Sequence, residues 1–365
     1  MINIQGVKLV TGERKNIVIE NSQIKQISEK PIQGGEMIHV PENVYVSPGW
    51  IDLHTHAFPK FQPYCSHPDE IGYKTGVTTV VDAGSSGADT IHELYDIANE
   101  CITNVLAFIN ISRIGLEVRN ELANLDDISF EGINEACKKY PDFIVGMKAR
   151  MSASVVGSNG IKPLESAREF STRLHKPLMV HIGSAPPSLE DIVSLLKKGD
   201  IITHCFHEKE GNNIFYDGGI LKPAVEAAMN RGVYLDVGHG TSSFSFHMAR
   251  KAKEMDVFFD SISTDIYDQN RKYGPVYNMA TTLTKFLALG YDLKEVIRSV
   301  TEVPANILHK PILGKLAPGK VADLTFFTIE QAETTLIDSV GNILVSPVRI
   351  KPYAVIIGGE YYECE

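Results

Sequence analysis

Short apolar runs alternate with amphipathic stretches from about residue 50 to about residue 265. The runs are rich in β-branched residues and are short, which predicts strands, while the stretches between them repeat apolar residues at helical spacing. The predicted strands lie near residues 50–54, 77–82, 104–111, 143–149, 177–182, 200–204, 232–237 and 258–264, and the predicted helices near residues 90–101, 131–140, 164–174, 189–198, 222–231 and 246–255. Strands in alternation with helices predict an α/β fold, a parallel (β/α)8 barrel of the TIM type.

Both ends of the chain carry further short strand patterns, separated by glycines and charged turns. They lie at residues 7–10, 17–20, 23–27, 324–328 and 354–357. A barrel takes about 250 residues, so roughly a hundred of the 365 residues remain for a second unit. We therefore predict a barrel domain over residues 49–310 and a small composite β-sandwich domain built from residues 1–48 and 311–365.

Residues suited to metal binding stand at the ends of the predicted barrel strands. In His54-Thr55-His56 the two imidazoles are two residues apart, so strand alternation turns both to one face. His181 and His204 end two later strands, and Asp265 ends the eighth. The alternatives are histidines satisfied by loop backbone and an aspartate that caps the next helix. Because the active site of such a barrel collects at the carboxyl ends of its strands, we interpret the set as one metal site of a hydrolase.

Lys148 lies at the end of an apolar strand pattern, at residues 143–150. It could be the first solvated residue beyond the strand. Beside two metal ions, however, a desolvated lysine would have a depressed pKa, and its neutral amine could add carbon dioxide. The resulting carbamate could bridge two divalent ions, and the neighbouring histidines favour this interpretation.

This ordered set resembles the amidohydrolase superfamily, in the lysine-bridged binuclear branch that includes dihydroorotases. The segment Pro304-Ala305-Asn306, with residues 313–324 after it, is similar to the turn where these chains leave the barrel for a small β-domain. The resemblance implies two divalent ions, with zinc suited to the ligands and manganese or iron also compatible. It implies that a metal-bound hydroxide attacks a carbonyl carbon while Asp265 transfers the proton. One ion would be held by His54, His56 and Asp265, the other by His181 and His204, with carboxylated Lys148 between them.

Four residues are candidate substrate contacts. Arg150 shares a strand face with Lys148 and lies nearer the barrel mouth, where its guanidinium could bind a carboxylate or steady an oxyanion during catalysis. A surface salt bridge is the alternative. His239 follows the seventh strand and is a candidate for the polar wall of the substrate site. His207 and Tyr267 lie on loops at the barrel mouth.

Several functions remain open. The preferred one is ester or amide deacetylation of a small acylated acid, because the segments at residues 148–150 and 204–207 resemble the small-molecule deacetylase group. Hydrolysis of a cyclic amide is a close variant, although residues 57–60 lack the arginine or asparagine pair that dihydroorotases carry there. Deamination of adenine or another purine is an alternative, and so is a catalytically dead homologue that acts as a binding protein.

Composition restricts the partners. With 35 basic and 45 acidic residues the net charge is -10, which disfavours nucleic-acid binding. We find no apolar stretch of the roughly 20 residues that a membrane span needs and no signal-sequence pattern, so we expect a cytoplasmic protein. Five cysteines without a CxxC pair fit reduced thiols. The expected partners are a small-molecule substrate and further copies of the chain in a homo-oligomer, without nucleic acid or membrane.

Overall fold

Two sheets organise the computed structural model, which describes residues 1–216 and 218–365. The strands are β1 (Ile2–Leu9), β2 (Arg14–Glu20), β3 (Gln23–Ser28), β4 (Glu36–Ile38), β5 (Tyr45–Pro48), β6 (Trp50–Thr55), β7 (Val77–Ala83), β8 (Asn104–Asn110), β9 (Ile144–Met151), β10 (Leu178–Ile182), β11 (Ile201–Thr203), β12 (Tyr234–Asp236), β13 (Leu324–Ile337), β14 (Ile343–Ile357) and β15 (Glu360–Glu363). The helices are α1 (Pro68–Ile71), α2 (Ile91–Glu100), α3 (Phe130–Lys139), α4 (Ala153–Val156), α5 (Lys162–Leu174), α6 (Leu189–Ser194), α7 (Pro223–Asn230), α8 (Phe246–Glu254), α9 (Asp268–Tyr273), α10 (Met279–Ala288), α11 (Leu293–Arg298) and α12 (Glu302–Ile307).

The barrel sheet contains seven parallel strands in chain order, from β6 to β12. Most of their residues are buried, as expected for parallel strands that are covered on both faces. Helices such as α2, α3, α5 and α7 separate successive strands and pack against the outside of the sheet. All six predicted helices of this region are present, with ends that differ by a few residues.

The prediction of a regular eighth strand is wrong, because residues 258–264 do not form one. Residues 260–266 nevertheless bridge both edges of the sheet, because Ser261 pairs with Asp236 of β12 and Ile266 pairs with Thr55 of β6. The hydroxyls of Ser261 and Ser263 each donate to the Asp236 carboxylate at 2.6 Å. At Asp265 the backbone is left-handed, with φ +50°, which ends the extended conformation. Backbone bonds still close the barrel on both sides, since the amide of Val237 donates to the carbonyl of Ser261 at 3.0 Å and the amide of Asp265 donates to the carbonyl of His54 at 2.7 Å.

Strands from both chain ends share the second sheet. Its order is β15-β14-β13-β5-β1-β2-β3, and β4 pairs beside β1. The ends join where β13 runs antiparallel to β5, with Phe326 opposite Val46. The apolar core of this unit lies between the two ends and includes Ile4, Ile24 and Ala322. Strands β13 and β14 are far longer than predicted and form a hairpin that extends from this sheet over the barrel, where the amide of Ile350 donates to Thr284 on α10 at 3.0 Å. The boundaries of the two domains stay a prediction.

Four helices, α9 to α12, occupy residues 268–307, for which the sequence pattern predicted no element. The predicted passage from the barrel to the small β-domain is present over residues 308–323, which join α12 to β13, although Pro304-Ala305-Asn306 themselves lie inside α12. Proline is compatible with the first turn of a helix because the amide it lacks has no partner there. Across residues 1–216 and 218–365, every helix is too short or too polar to cross a bilayer.

Candidate active site

A cavity of about 260 Å³ opens at the carboxyl ends of the barrel strands. The structure brings all six predicted metal ligands to its wall, together with the predicted contacts Arg150 and Tyr267. The other lining residues are Tyr64, Leu116, Thr241, Ser242 and Ser243.

Hydrogen bonds hold the imidazole of His54 in one tautomer. The Thr203 hydroxyl donates to Asp236 Oδ2 at 2.7 Å, so it must accept from His54 Nδ1, which lies 2.8 Å away. The lone pair of His54 is therefore on Nε2. Burial lowers the pKa of His54 well below its usual value, so the ring is neutral and that lone pair is free to bind a cation.

Each of the other three histidines also has one ring nitrogen in contact with a polar group, at Nδ1 in His56 and His204 and at Nε2 in His181. His204 Nδ1 donates to the carbonyl of Gly238 at 2.6 Å, which leaves Nε2 as the acceptor, and burial lowers the pKa of His204 to about 3. His56 Nδ1 lies 2.8 Å from the Ser85 hydroxyl. His181 is contacted at Nε2 by the Ser152 hydroxyl at 2.9 Å, which leaves Nδ1 for a ligand.

Asp265 and Lys148 complete the cluster. Asp265 Oδ1 lies 3.0 Å from His56 Nε2 and 3.4 Å from His54 Nε2. Burial alone would raise the pKa of Asp265, but the bond with His56 and nearby positive charge hold it below the usual value, so the group is a carboxylate. Lys148, with 1% of its surface exposed, has Nζ at 3.1 Å from His54 Nε2, and burial lowers its pKa to about 7. A large fraction of this lysine is therefore a neutral amine near neutral pH.

Close backbone packing around two glycines brings these groups together. A Cβ at Gly84 would lie 2.7 Å from Lys148 Cβ, so a side chain there would push the lysine away. Gly240, with φ +54°, packs directly against Asp265 Oδ2. Only glycine combines that backbone conformation with so close an approach.

These donors fit divalent metal ions. One ligand atom each from His54, His204 and Asp265 lies within 4.8 Å of the other two. Imidazoles with one anchored ring nitrogen and a carboxylate are ligands that zinc prefers. A protonated lysine cannot bind a cation and would not suit the centre of such a cluster. The neutral form of Lys148, in contrast, can be converted to an anionic carbamate.

Arg150 lies beside the ligands and is held by a buried glutamate. Its Nη1 donates to Glu121 Oε2 at 3.0 Å and approaches the carbonyl of Arg119 at 3.5 Å. The Glu121 side chain is fully buried, and the guanidinium lies 5.7 Å from the centre of the Tyr64 ring. Within residues 1–216 and 218–365, Nε and Nη2 of Arg150 have no hydrogen-bond acceptor, so this edge of the guanidinium is free to donate hydrogen bonds to a substrate anion.

The predicted contacts His239 and His207 are fully buried and do not line the cavity. His239 turns inward, where its Nε2 meets Lys285 Nζ at 2.7 Å and its ring stacks on Phe244. The Nδ1 of His207 accepts from the amide of Lys209 at 3.0 Å, which fixes the loop after β11. Tyr267 does reach the cavity, and its hydroxyl lies 2.5 Å from the Thr241 hydroxyl.

Comparison with known proteins identifies the family. A model of the amidohydrolase family matches residues 45–360. The chain belongs to the amidohydrolase family. A curated deacetylase of Enterococcus faecalis is 46% identical over 363 residues, 99% of this chain and 98% of that protein. A solved structure described as an adenine deaminase is also 46% identical, with a TM-score of 0.96 and 99% of both chains covered. A dihydroorotase structure is 31% identical, with a TM-score of 0.92, and covers 100% of this chain and 98% of its own.

These matches confirm the predicted fold class, an α/β barrel with a small β-domain, and the resemblance on which it rested. They also establish that this amidohydrolase is a hydrolytic enzyme. The two relatives at 46% identity carry different names, one a deacetylase and the other an adenine deaminase, so sequence similarity leaves the substrate to be decided by the site.

Several residues that shape the site were not predicted from the sequence. Asp236 carried a signal, because a carboxylate stood inside an otherwise apolar strand pattern. Thr203 and Ser85 carried none, since both residue types are common in strands and loops. The partnership of Glu121 with Arg150 joins a loop to strand β9 across 29 residues of sequence, and spacing does not predict it.

Proposed function

We propose that this amidohydrolase is a metal-dependent deacylase that hydrolyses an ester or amide of a small carboxylic acid. The observation that carries the proposal is the convergence of four imidazoles, Asp265 and Lys148 beside the free edge of Arg150. This edge would hold the carboxylate of the substrate by two parallel hydrogen bonds. The cavity, at about 260 Å³, suits a small acylated acid.

The ligand set would hold two divalent ions, most simply zinc, with Lys148 carboxylated between them. His54, His56 and Asp265 would serve one ion, and His181 and His204 the other. When bound, the ions would polarise the acyl carbonyl and lower the pKa of the attacking water.

The protein's own groups account for orientation and proton transfer. Asp265 is a carboxylate held within 3.0 Å of His56, so it can accept the proton of the attacking water and return it to the leaving oxygen or nitrogen. Arg150 fixes the acid portion of the substrate, which places the acyl carbon near Asp265. Tyr64 and Tyr267 flank the His56 ring and help to exclude solvent from that side.

A purine deaminase is the second candidate, favoured by the name of the adenine deaminase structure. Deamination of a purine needs protons delivered both to the ring and to the departing amine. Asp265 is the single carboxylate among the described lining residues, which favours acyl transfer, where one proton carrier suffices.

The test is product release by protein reconstituted with zinc and bicarbonate. Acetylated hydroxy acids, acetylated amino acids, cyclic amides and aminopurines are offered separately, and acetate, acid and ammonia are each detected. Acetate release from an acylated acid supports the deacylase, whereas ammonia from an aminopurine with no acetate release would overturn it. Lys148→Ala should lower the bound metal and reduce turnover by at least a hundredfold, with metal content measured on the same samples.

A further inference from the structure

The far end of the β13–β14 hairpin contacts the active-site wall. We define the bracing tip as residues 338–342 and the hydroxyl wall as residues 241–243, whose side chains line the cavity. The hairpin begins in the sheet formed by the chain ends. Strands of this length span about 45 Å, so the tip reaches the barrel mouth from the second sheet.

Four contacts join the bracing tip to both ends of the hydroxyl wall. The amide of Ser339 donates to the carbonyl of Phe244 at 3.0 Å. The hydroxyl of Ser339 lies 2.9 Å from the carbonyl of Gly240 and 3.2 Å from that of His239. Asp338 Oδ2 accepts from the amide of Phe246 at 2.9 Å. The wall is therefore held immediately before its first residue and immediately after its last.

The tip is itself a rigid turn. Asp338 is buried, and its Oδ1 accepts from the amides of Val340 at 3.0 Å and Asn342 at 2.8 Å. The side-chain amide of Asn342 donates to Asp338 Oδ2 at 3.0 Å. A turn with these internal bonds can act as a fixed support for another segment.

The hydroxyl wall depends on such a support. Thr241 and Ser242 are exposed, so packing alone does not fix them. Gly240, next to the wall, packs against Asp265, and the Thr241 hydroxyl meets Tyr267 at 2.5 Å. A shift of the wall would therefore change the shape of the cavity that its side chains line.

We propose that Ser339 is a positioning residue, through which the bracing tip fixes the hydroxyl wall and so keeps the cavity in the shape that binds the acylated acid. This inference rests on the proposed deacylase function. Ser339 itself is not among the residues that line the cavity and acts through the carbonyls of residues 239 and 240. Removing its hydroxyl should weaken substrate binding more than it slows the chemical step.

The test compares the wild type with Ser339→Ala, Ser339→Thr and a control, Thr335→Ala. Thr335 is exposed on the same hairpin, and within the described residues its side chain makes no hydrogen bond. For Ser339→Ala we expect KM for acetylated acids to rise about five- to tenfold, the loss of one or two hydrogen bonds, with kcat within twofold of the wild type. Ser339→Thr keeps the hydroxyl and should restore KM, and Thr335→Ala should match the wild type.

Hydrogen exchange supplies a readout that does not need activity. In Ser339→Ala the amides of residues 239–246 should exchange at least fivefold faster, while the barrel strands keep their wild-type rates. Wild-type KM and wild-type exchange in Ser339→Ala would overturn the positioning role while leaving the deacylase function in place. If no acylated acid is hydrolysed at all, the proposed function fails, and unchanged exchange would still refute the contact as a support.

Discussion

Replacing Thr203 by valine tests whether the Asp236–Thr203–His54 chain orients a metal ligand. Valine has the shape of threonine but neither accepts from His54 Nδ1 nor donates to Asp236. Asp236 keeps its bonds from Ser261 and Ser263, both at 2.6 Å, so its buried carboxylate stays satisfied. The loss is therefore concentrated on the orientation and tautomer of His54.

The magnitude follows from what such a partner contributes. Loss of a hydrogen bond behind a ligating histidine lowers metal affinity about 10- to 100-fold, which corresponds to roughly 1.4 to 2.8 kcal/mol. We expect the zinc dissociation constant of Thr203→Val, measured by competition with a chelator, to rise by this factor. The melting temperature of the metal-free protein should change by only a few degrees.

Thr79→Val is a matched control, because Thr79 is a buried barrel-strand threonine whose hydroxyl has no hydrogen-bond partner within residues 1–216 and 218–365. Its metal affinity should equal that of the wild type. Equal affinities for Thr203→Val and the wild type would refute the reasoning, since His54 would then need no support at Nδ1. An equal loss in both variants would point to a general effect of strand substitutions.

Two further substitutions test the substrate edge and the buried lysine. Arg150→Lys keeps the charge but loses the forked guanidinium. KM for acetylated acids should therefore rise about 10- to 100-fold, while KM for the matching methyl esters should stay within threefold. Equal changes for both substrate types would exclude carboxylate binding by Arg150. Lys285 is fully buried against His239, and burial lowers its pKa from 10.5 to about 7 despite the nearby Asp338 carboxylate. The pKa of Lys285 is lower in the folded protein than in the unfolded chain. Between the two pKa values the unfolded chain therefore binds one more proton than the folded protein, so the free energy of unfolding rises with pH. The free energy of unfolding of the wild type relative to Lys285→Met should therefore increase by about 2 kcal/mol from pH 7 to pH 9; a difference that is independent of pH in denaturant titrations would contradict it.

The sequence pattern predicted the parts of this fold that repeat. Seven barrel strands lie where short apolar runs predicted them, because strands buried on both faces must be continuously apolar. The eighth segment has the same apolar start and bonds through its backbone to both edges of the sheet, but it is not a regular strand: its serines also bond to Asp236, and its backbone turns left-handed at Asp265. Local periodicity cannot detect the serine bonds, since they depend on Asp236, about 25 residues earlier.

The candidate site also contains residues that the sequence predicts and residues that it does not. The convergence of its six candidate ligands was predictable because strand ends of a parallel barrel meet at one face. The hydrogen-bond partners of these residues were not predictable, because they depend on contacts between distant segments. Ser339 reaches residue 239 across 100 residues of sequence, and the long hairpin that carries it has an exposed, polar outer face that gave no strand signal beyond residue 328.

The backbone at two of the ligands indicates what this end of the barrel is organised to do. His204 and Asp265 both have left-handed conformations, with φ of +73° and +50°, which cost residues other than glycine about 1 kcal/mol each. Each lies beside a backbone bond that joins neighbouring barrel segments: the amide of Cys205 donates to the carbonyl of Asp236 at 3.1 Å, and the amide of Asp265 donates to the carbonyl of His54 at 2.7 Å. The backbone bonds that close the barrel therefore also fix the two candidate ligands, so barrel closure and ligand placement depend on the same segments.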